Sequence, residues 1–160
     1  MGPTDRPRDA VLDRFEAARV AVLGTTDRAA GPPAAPHLVP VTFALAAAVG
    51  GGAGEAVAPL VLSAVDGKPK RGPALRRLEN IAAHPAVSLL VQHWEEDWDR
   101  LWWIRADGRA EISNDPGVLD RATTLLRAKY PQYGSIAVAG PVLVIALESW
   151  RSWSATPGGP

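Results

Sequence analysis

The sequence predicts a mainly β domain with flanking helices, a closed or half-closed antiparallel barrel of six or more strands. Three observations predict it. Six short runs, at residues 20–25, 37–45, 60–65, 87–93, 101–112 and 141–150, concentrate or alternate apolar and β-branched residues, and short turns join most of them. Only three stretches show helical spacing, whereas a doubly wound parallel sheet needs a helix after nearly every strand. Finally, 160 residues, 47% hydrophobic and 21% charged, fit a single domain, because roughly two-thirds of the unfolded surface is buried at that size.

Each element follows in order. Residues 1–8 are polar and Pro-rich and are expected to be flexible. Residues 9–19 place Val11, Leu12, Phe15 and Ala18 at helical spacing. Residues 20–25 then change period to a strand, and residues 27–31 supply the Asp and Gly of a turn. Residues 37–45 read as a second strand, in which Pro40 demands an edge position, a bulge or a ligand-facing break. Residues 46–58, rich in Ala and Gly, read as a loose hairpin tip, with residues 60–65 pairing back as the third strand.

A helix follows from Pro73, which sits well in a first turn where its missing N–H costs nothing. Leu75, Leu78, Ile81 and Ala82 form its apolar face, and it stops at His84, before Pro85. Residues 87–93 make a fourth strand and residues 101–112 a fifth, bent at Asp107-Gly108. Asp115-Pro116 starts the third helix, with Val118, Ala122, Leu125 and Leu126 facing inward until Pro131 ends it. Residues 141–150 close the sheet, and residues 155–160 are expected to be flexible.

Acids and bases balance at 17 each, and there is no cysteine. Disulfides, thiol catalysis and thiolate metal sites are thereby excluded, and a cytoplasmic location is the simplest expectation. No apolar run reaches the ~18–20 residues of a membrane helix, and the N-terminus lacks a secretory pattern. His37, His84 and His93 lack metal-ligand spacing, so no metal site is expected. No Walker loop, Gly-x-Ser-x-Gly elbow or dinucleotide fingerprint occurs. Hard chemistry would therefore belong to a borrowed cofactor.

Two stretches stand out. Lys68-Pro-Lys-Arg-Gly-Pro-Ala-Leu-Arg-Arg77 carries five positive charges and no negative one, between a strand and a helix. Helix N-termini present unsatisfied N–H groups and a favourable dipole to anions, and cations on the same turn strengthen the hold. A solvated basic turn is the alternative. The second stretch is His93-Trp-Glu-Glu-Asp-Trp-Asp-Arg-Leu-Trp-Trp-Ile104, which holds four of the six tryptophans. Such aromatics fill cores or wall flat ligands and interfaces. Trp102 and Trp103 point to opposite faces of a strand, so at most one of them is core. The acids Glu95, Glu96, Asp97 and Asp99 around them would repel phosphates, which argues against nucleic-acid binding.

The strand, basic turn and helix ending in Leu78-Glu-Asn-Ile-Ala-Ala-His-Pro-Ala-Val-Ser-Leu-Leu-Val91 resemble the pyridoxamine 5′-phosphate oxidase-like split β-barrels over residues 9–150. The Gly-Lys-Pro-Lys-Arg and Asp-Trp-x-Arg-Leu-Trp-Trp-x-Arg-Ala-Asp-Gly stretches look most like the actinobacterial branch described as using the deazaflavin coenzyme F420. The resemblance implies a homodimer with two cofactor sites at its interface. The ring system would lie on the backbone of the second strand at Pro36, Val39, Pro40 and Val41. Ser63 and Ala64 match positions that contact the ribityl chain or phosphate, and Arg76 and Arg77 match the basic pair on the phosphate. Lys68, Lys70 and Arg71 exceed the usual motif, and their charge suits the polyglutamate tail that coenzyme F420 has and FMN lacks. From the other subunit, the region from Gln92 to Trp103 would cover the ring, with Trp98 or Trp102 as the aromatic wall.

Two departures matter. The insertion at 46–58 lengthens a hairpin near the substrate pocket, and the tail reads Arg151-Ser-Trp-Ser-Ala where true pyridoxamine phosphate oxidases have Arg-x-His. Oxidation of pyridoxamine phosphate is therefore not expected. The reading is an F420-dependent oxidoreductase acting on a small conjugated organic substrate, with His37 or His93 as candidate proton donors. FMN is the alternative cofactor, and a non-catalytic flavin or haem carrier the alternative function.

Overall fold

The computed structural model describes residues 8–27, 35–47, 59–66 and 73–156. Helix α1 (Arg8–Ala17) leads into β1 (Ala21–Thr26), β2 (Pro36–Val41), β3 (Ala44–Ala46) and β4 (Leu60–Asp66). Helix α2 (Pro73–Ala83), β5 (Ala86–His93), β6 (Trp102–Ser113), α3 (Pro116–Lys129) and β7 (Val138–Ser154) complete the order, with short 3-10 turns at Trp98–Arg100 and Pro131–Gly134. The strands form one antiparallel seven-stranded sheet in the order β2-β1-β5-β6-β7-β4-β3. No helix among the described residues is long and apolar enough to cross a membrane.

The two edge strands, at opposite ends of that order, are only two residues apart in the chain. Residues 37–45, expected as one strand, instead leave β2 at Val41, cross at Thr42-Phe43 and enter β3 at Ala44. The sheet must therefore curl until its edges adjoin, which is the split form of a barrel. Thr42 and Phe43 belong to neither ladder, so their backbone polar groups need other partners. The Tyr130 hydroxyl accepts from the Phe43 N–H at 3.1 Å and lies 3.0 Å from the carbonyl oxygens of Phe43 and Arg19. The Tyr133 and Thr42 hydroxyls share a hydrogen bond of 2.7 Å. Both tyrosines come from the turn after α3, so α3 plugs the seam.

Two clusters make the core. The first fills the barrel with inward residues of alternating strands, Leu23, Val41, Val61, Leu89, Val91, Ile104 and Leu143, under Phe15 of α1 and Ile81 of α2. Trp150 meets Phe15 edge to face at 5.1 Å, and the last strand continues beyond it to Ser154 because residues 151–154 pair with Trp102–Arg105 of β6. The second cluster packs Ala122, Leu126, Tyr130 and Tyr133 against Leu62, Ala64 and Val142. The bend expected at Asp107-Gly108 is a register shift against β7. A Cβ at Gly108 would collide with the Ala146 carbonyl, so this close crossing requires glycine.

Candidate functional site

Helix α2 owes its place to polar as well as apolar contacts. Ile81 is buried and Leu78 packs on the barrel core, but Ala82, expected on the apolar face, is exposed. Its place inside is taken by Arg77, 7% exposed, and Asn80, fully buried. The Asn80 Nδ2 donates to the Thr25 Oγ1 at 2.9 Å, and Arg76, one turn earlier, pairs with Asp27. Residues four apart on the helix thus grip Thr25 near the end of β1 and Asp27 just beyond it, which is how a 3.6-residue period meets a 2-residue one. The contact extends to β2. Thr25 stands opposite His37 in the ladder, and its hydroxyl lies 3.4 Å from the His37 Nδ1.

The helix that carries Arg76 and Arg77 is therefore tied, through Asn80 and Thr25, to the half-buried imidazole of the edge strand. Arg77 is not the solvated cation of a surface turn; a guanidinium this buried is held by its surroundings. Lys68, Lys70 and Arg71 lie outside the described residues, as does nearly all of the 46–58 insertion and of the 27–31 turn. Pro40 occupies an edge strand, one of the three positions its ring permits. Val39 and Val41 turn their side chains into the barrel core, so only their backbone faces outward, whereas Pro36 and Pro40 are exposed. Ser63 is buried, and Ala64 packs under α3, leaving its backbone alone for any ligand.

The aromatic candidates gather at the other end of the sheet. The ladder β1–β5 sets Gly24 against Ser88 and Val22 against Leu90, so Gln92 and the turn beyond it lie away from Thr25 and His37. Trp98 is 75% exposed, on the short 3-10 turn. Trp102 is instead part of the core margin, stacked on His93 at 6.1 Å and covered by the Arg14 guanidinium at 5.1 Å. Within one chain its ring is thus engaged by His93 and Arg14. Trp103 takes the opposite face and pairs across the ladder with Trp153. His93 is engaged locally, 3.5 Å from Glu95, which also holds Arg100 at 2.8 Å.

Sequence reasoning overlooked Thr25 and Asp27. The inward alternation Ala21, Leu23, Thr25 was the available signal, since a polar residue closing a buried register needs a partner. The motif described as pyridoxamine 5′-phosphate oxidase matches residues 7–154. The chain belongs to that family. The family binds flavins such as FMN. Its split-barrel architecture is shared with solved structures. A conserved hypothetical protein from Mycobacterium tuberculosis is 20% identical with a TM-score of 0.66, covering 97% of this chain and 89% of that one. A FAD-binding protein from Mesorhizobium loti is 18% identical with a TM-score of 0.57, covering 89% of each chain. The heme storage protein HutZ from Vibrio cholerae is 11% identical with a TM-score of 0.58, covering 93% and 94%. At such identities these are likenesses of fold. No curated protein matches the chain.

Proposed function

We propose that this pyridoxamine 5′-phosphate oxidase-like protein is a homodimeric oxidoreductase that uses the deazaflavin coenzyme F420 and acts on a small conjugated organic substrate. The observation that carries the reading is the buried Arg77 beside Arg76 on α2, tied through Asn80 and Thr25 to His37 on the edge strand. These residues fit a phosphorylated flavin-like group: Arg76 and Arg77 would hold its phosphate, and the β2 backbone would carry its ring. The five cations of residues 68–77 favour a polyanionic tail, hence F420 over FMN. Bound there, the group would supply hydride chemistry.

The chain's own residues orient and exclude. Thr25 Oγ1 accepts from Asn80, so its own hydrogen is available to the His37 Nδ1 at 3.4 Å or to the His37 carbonyl at 3.5 Å. With Nδ1 accepting, a neutral imidazole carries its proton on Nε2, the atom placed to hold or move a proton. Held orientation of this kind lowers a barrier by several kcal/mol. The Trp98 end of the sheet lies away from His37 within one chain, which supports assigning the cover it would provide to a second copy.

The test is a titration of the protein with oxidised coenzyme F420 and, separately, FMN, followed by ligand fluorescence, on wild type and Arg77→Gln. Selective F420 binding that weakens roughly ten- to a hundredfold in the variant, as loss of a charge-assisted bond implies, supports the reading. Undiminished binding by the variant overturns the phosphate assignment. Preference for FMN keeps the site and changes the cofactor. Binding without turnover of an enone or dye favours a non-catalytic carrier.

A further inference from the structure

At the seam between the sheet edges lies a cavity of about 240 Å³, lined by Arg19, Thr42, Tyr130, Gln132, Tyr133 and Ile136. It is separate from the Arg77 site and from the residues proposed there. Among the described residues, its one formally charged lining residue is Arg19 and no carboxylate lines it. The guanidinium is pre-positioned: Nη1 donates to the Lys129 carbonyl at 2.6 Å, and the group stacks 4.6 Å from the Tyr130 ring centroid. Thr42 and Tyr133 contribute a pair of hydroxyls, Gln132 a carboxamide, and Ile136 an apolar wall.

A second cation stands behind the same ring. The Lys129 ammonium is 3.8 Å from the Phe43 centroid and 5.4 Å from that of Tyr130, out of solvent and without a hydrogen-bond acceptor among the described residues. Burial brings it down to about 8, Glu16 on α1 partly offsets this, and Arg19 lowers it further. Two cations thus converge on one ring, and an entering anion relieves both.

We propose that this seam cavity binds a small organic carboxylate, its charge on the Arg19 fork and its body against Tyr133 and Ile136. Arginine's planar donors suit a carboxylate bidentately. The volume lies below the roughly 300–1,000 Å³ of drug-sized sites, which limits the ligand to a small acid. Because the bound anion favours the charged form of Lys129, binding takes up protons near pH 8 and weakens as the pH rises beyond it. The inference does not depend on which cofactor the protein uses.

Benzoate is the probe, titrated calorimetrically against wild type, Arg19→Gln, Tyr133→Phe, Lys129→Met, Arg77→Gln and, as an exposed control cation, Arg109→Gln. The expected result is saturable binding with a dissociation constant on the order of 1 mM. It should be about tenfold weaker in Arg19→Gln, weaker in Tyr133→Phe, and unchanged in Arg77→Gln and Arg109→Gln. Raising the pH from about 7 to about 9.5 should weaken it in wild type and leave Lys129→Met unaffected. No saturable binding, or binding kept in Arg19→Gln and lost in Arg77→Gln, overturns the proposal. Binding of inorganic phosphate but not benzoate overturns the carboxylate class.

Discussion

Tyr130 serves three backbone groups with one hydroxyl, and it does so where the barrel's ladders have run out. Tyr130→Phe strands the buried Phe43 N–H, and a buried donor without a partner costs about 1–3 kcal/mol. A lowered urea midpoint at unchanged slope is the expected result. Lys129, next to it, gives stability a pH dependence. Its pKa is 10.5 unfolded and about 8 folded, so between these values the unfolded chain binds more protons and stability rises with pH. Tyr130 acts oppositely: burial raises its pKa from 10, so stability falls again above that pH. Melting temperatures from pH 7.5 to 10 should therefore climb in wild type relative to Lys129→Met.

At the scale of elements, α2 is the informative case. Asp27 and an incoming anion compete for Arg76, which an exposed ion pair occupies. Asp27→Asn should tighten cofactor binding by up to about fivefold, the equivalent of the 0.2–1 kcal/mol such pairs are worth. Equal affinities in a fluorescence titration would show that Arg76 does not reach the anion. The start of α2 at Pro73 and its stop before Pro85 were legible because proline acts locally, through its ring and missing N–H. Its buried polar face was not, because Asn80 is buried by Thr25, 55 residues away. The split of residues 37–45 was hidden for the same reason. Nothing local breaks an apolar run at Thr42-Phe43; the partner that ends the ladder there is Tyr130, 87 residues on. The arginine pair could be read from charge alone, and the link of its helix to His37 through Asn80 and Thr25 could not.

For the whole molecule, the outward face of the sheet bears on assembly. Pro40, Val22 and Leu90 form one row across β2, β1 and β5, continued by Arg105 and Arg151. Beside it Leu38, 65% exposed, stands opposite Gly24. If two copies pair to complete the cofactor site, Leu38→Glu should shift sedimentation from dimer to monomer and abolish F420 binding together. Loss of one without the other would separate assembly from binding.

Among the described residues, strand β7 joins the two halves of the sheet by hydrogen bonding, with β6 on one side and β4 on the other. The β3–β4 pair is complete at Asp66, yet its sheet partner begins only at Val138. On the ribosome, at roughly 5–20 residues per second, that hairpin waits about 4–14 s for a neighbour, its second edge open throughout. The barrel cannot close during synthesis until almost the last of its residues has emerged, so the nascent chain's vulnerability to mispairing is set by the position of a single late strand.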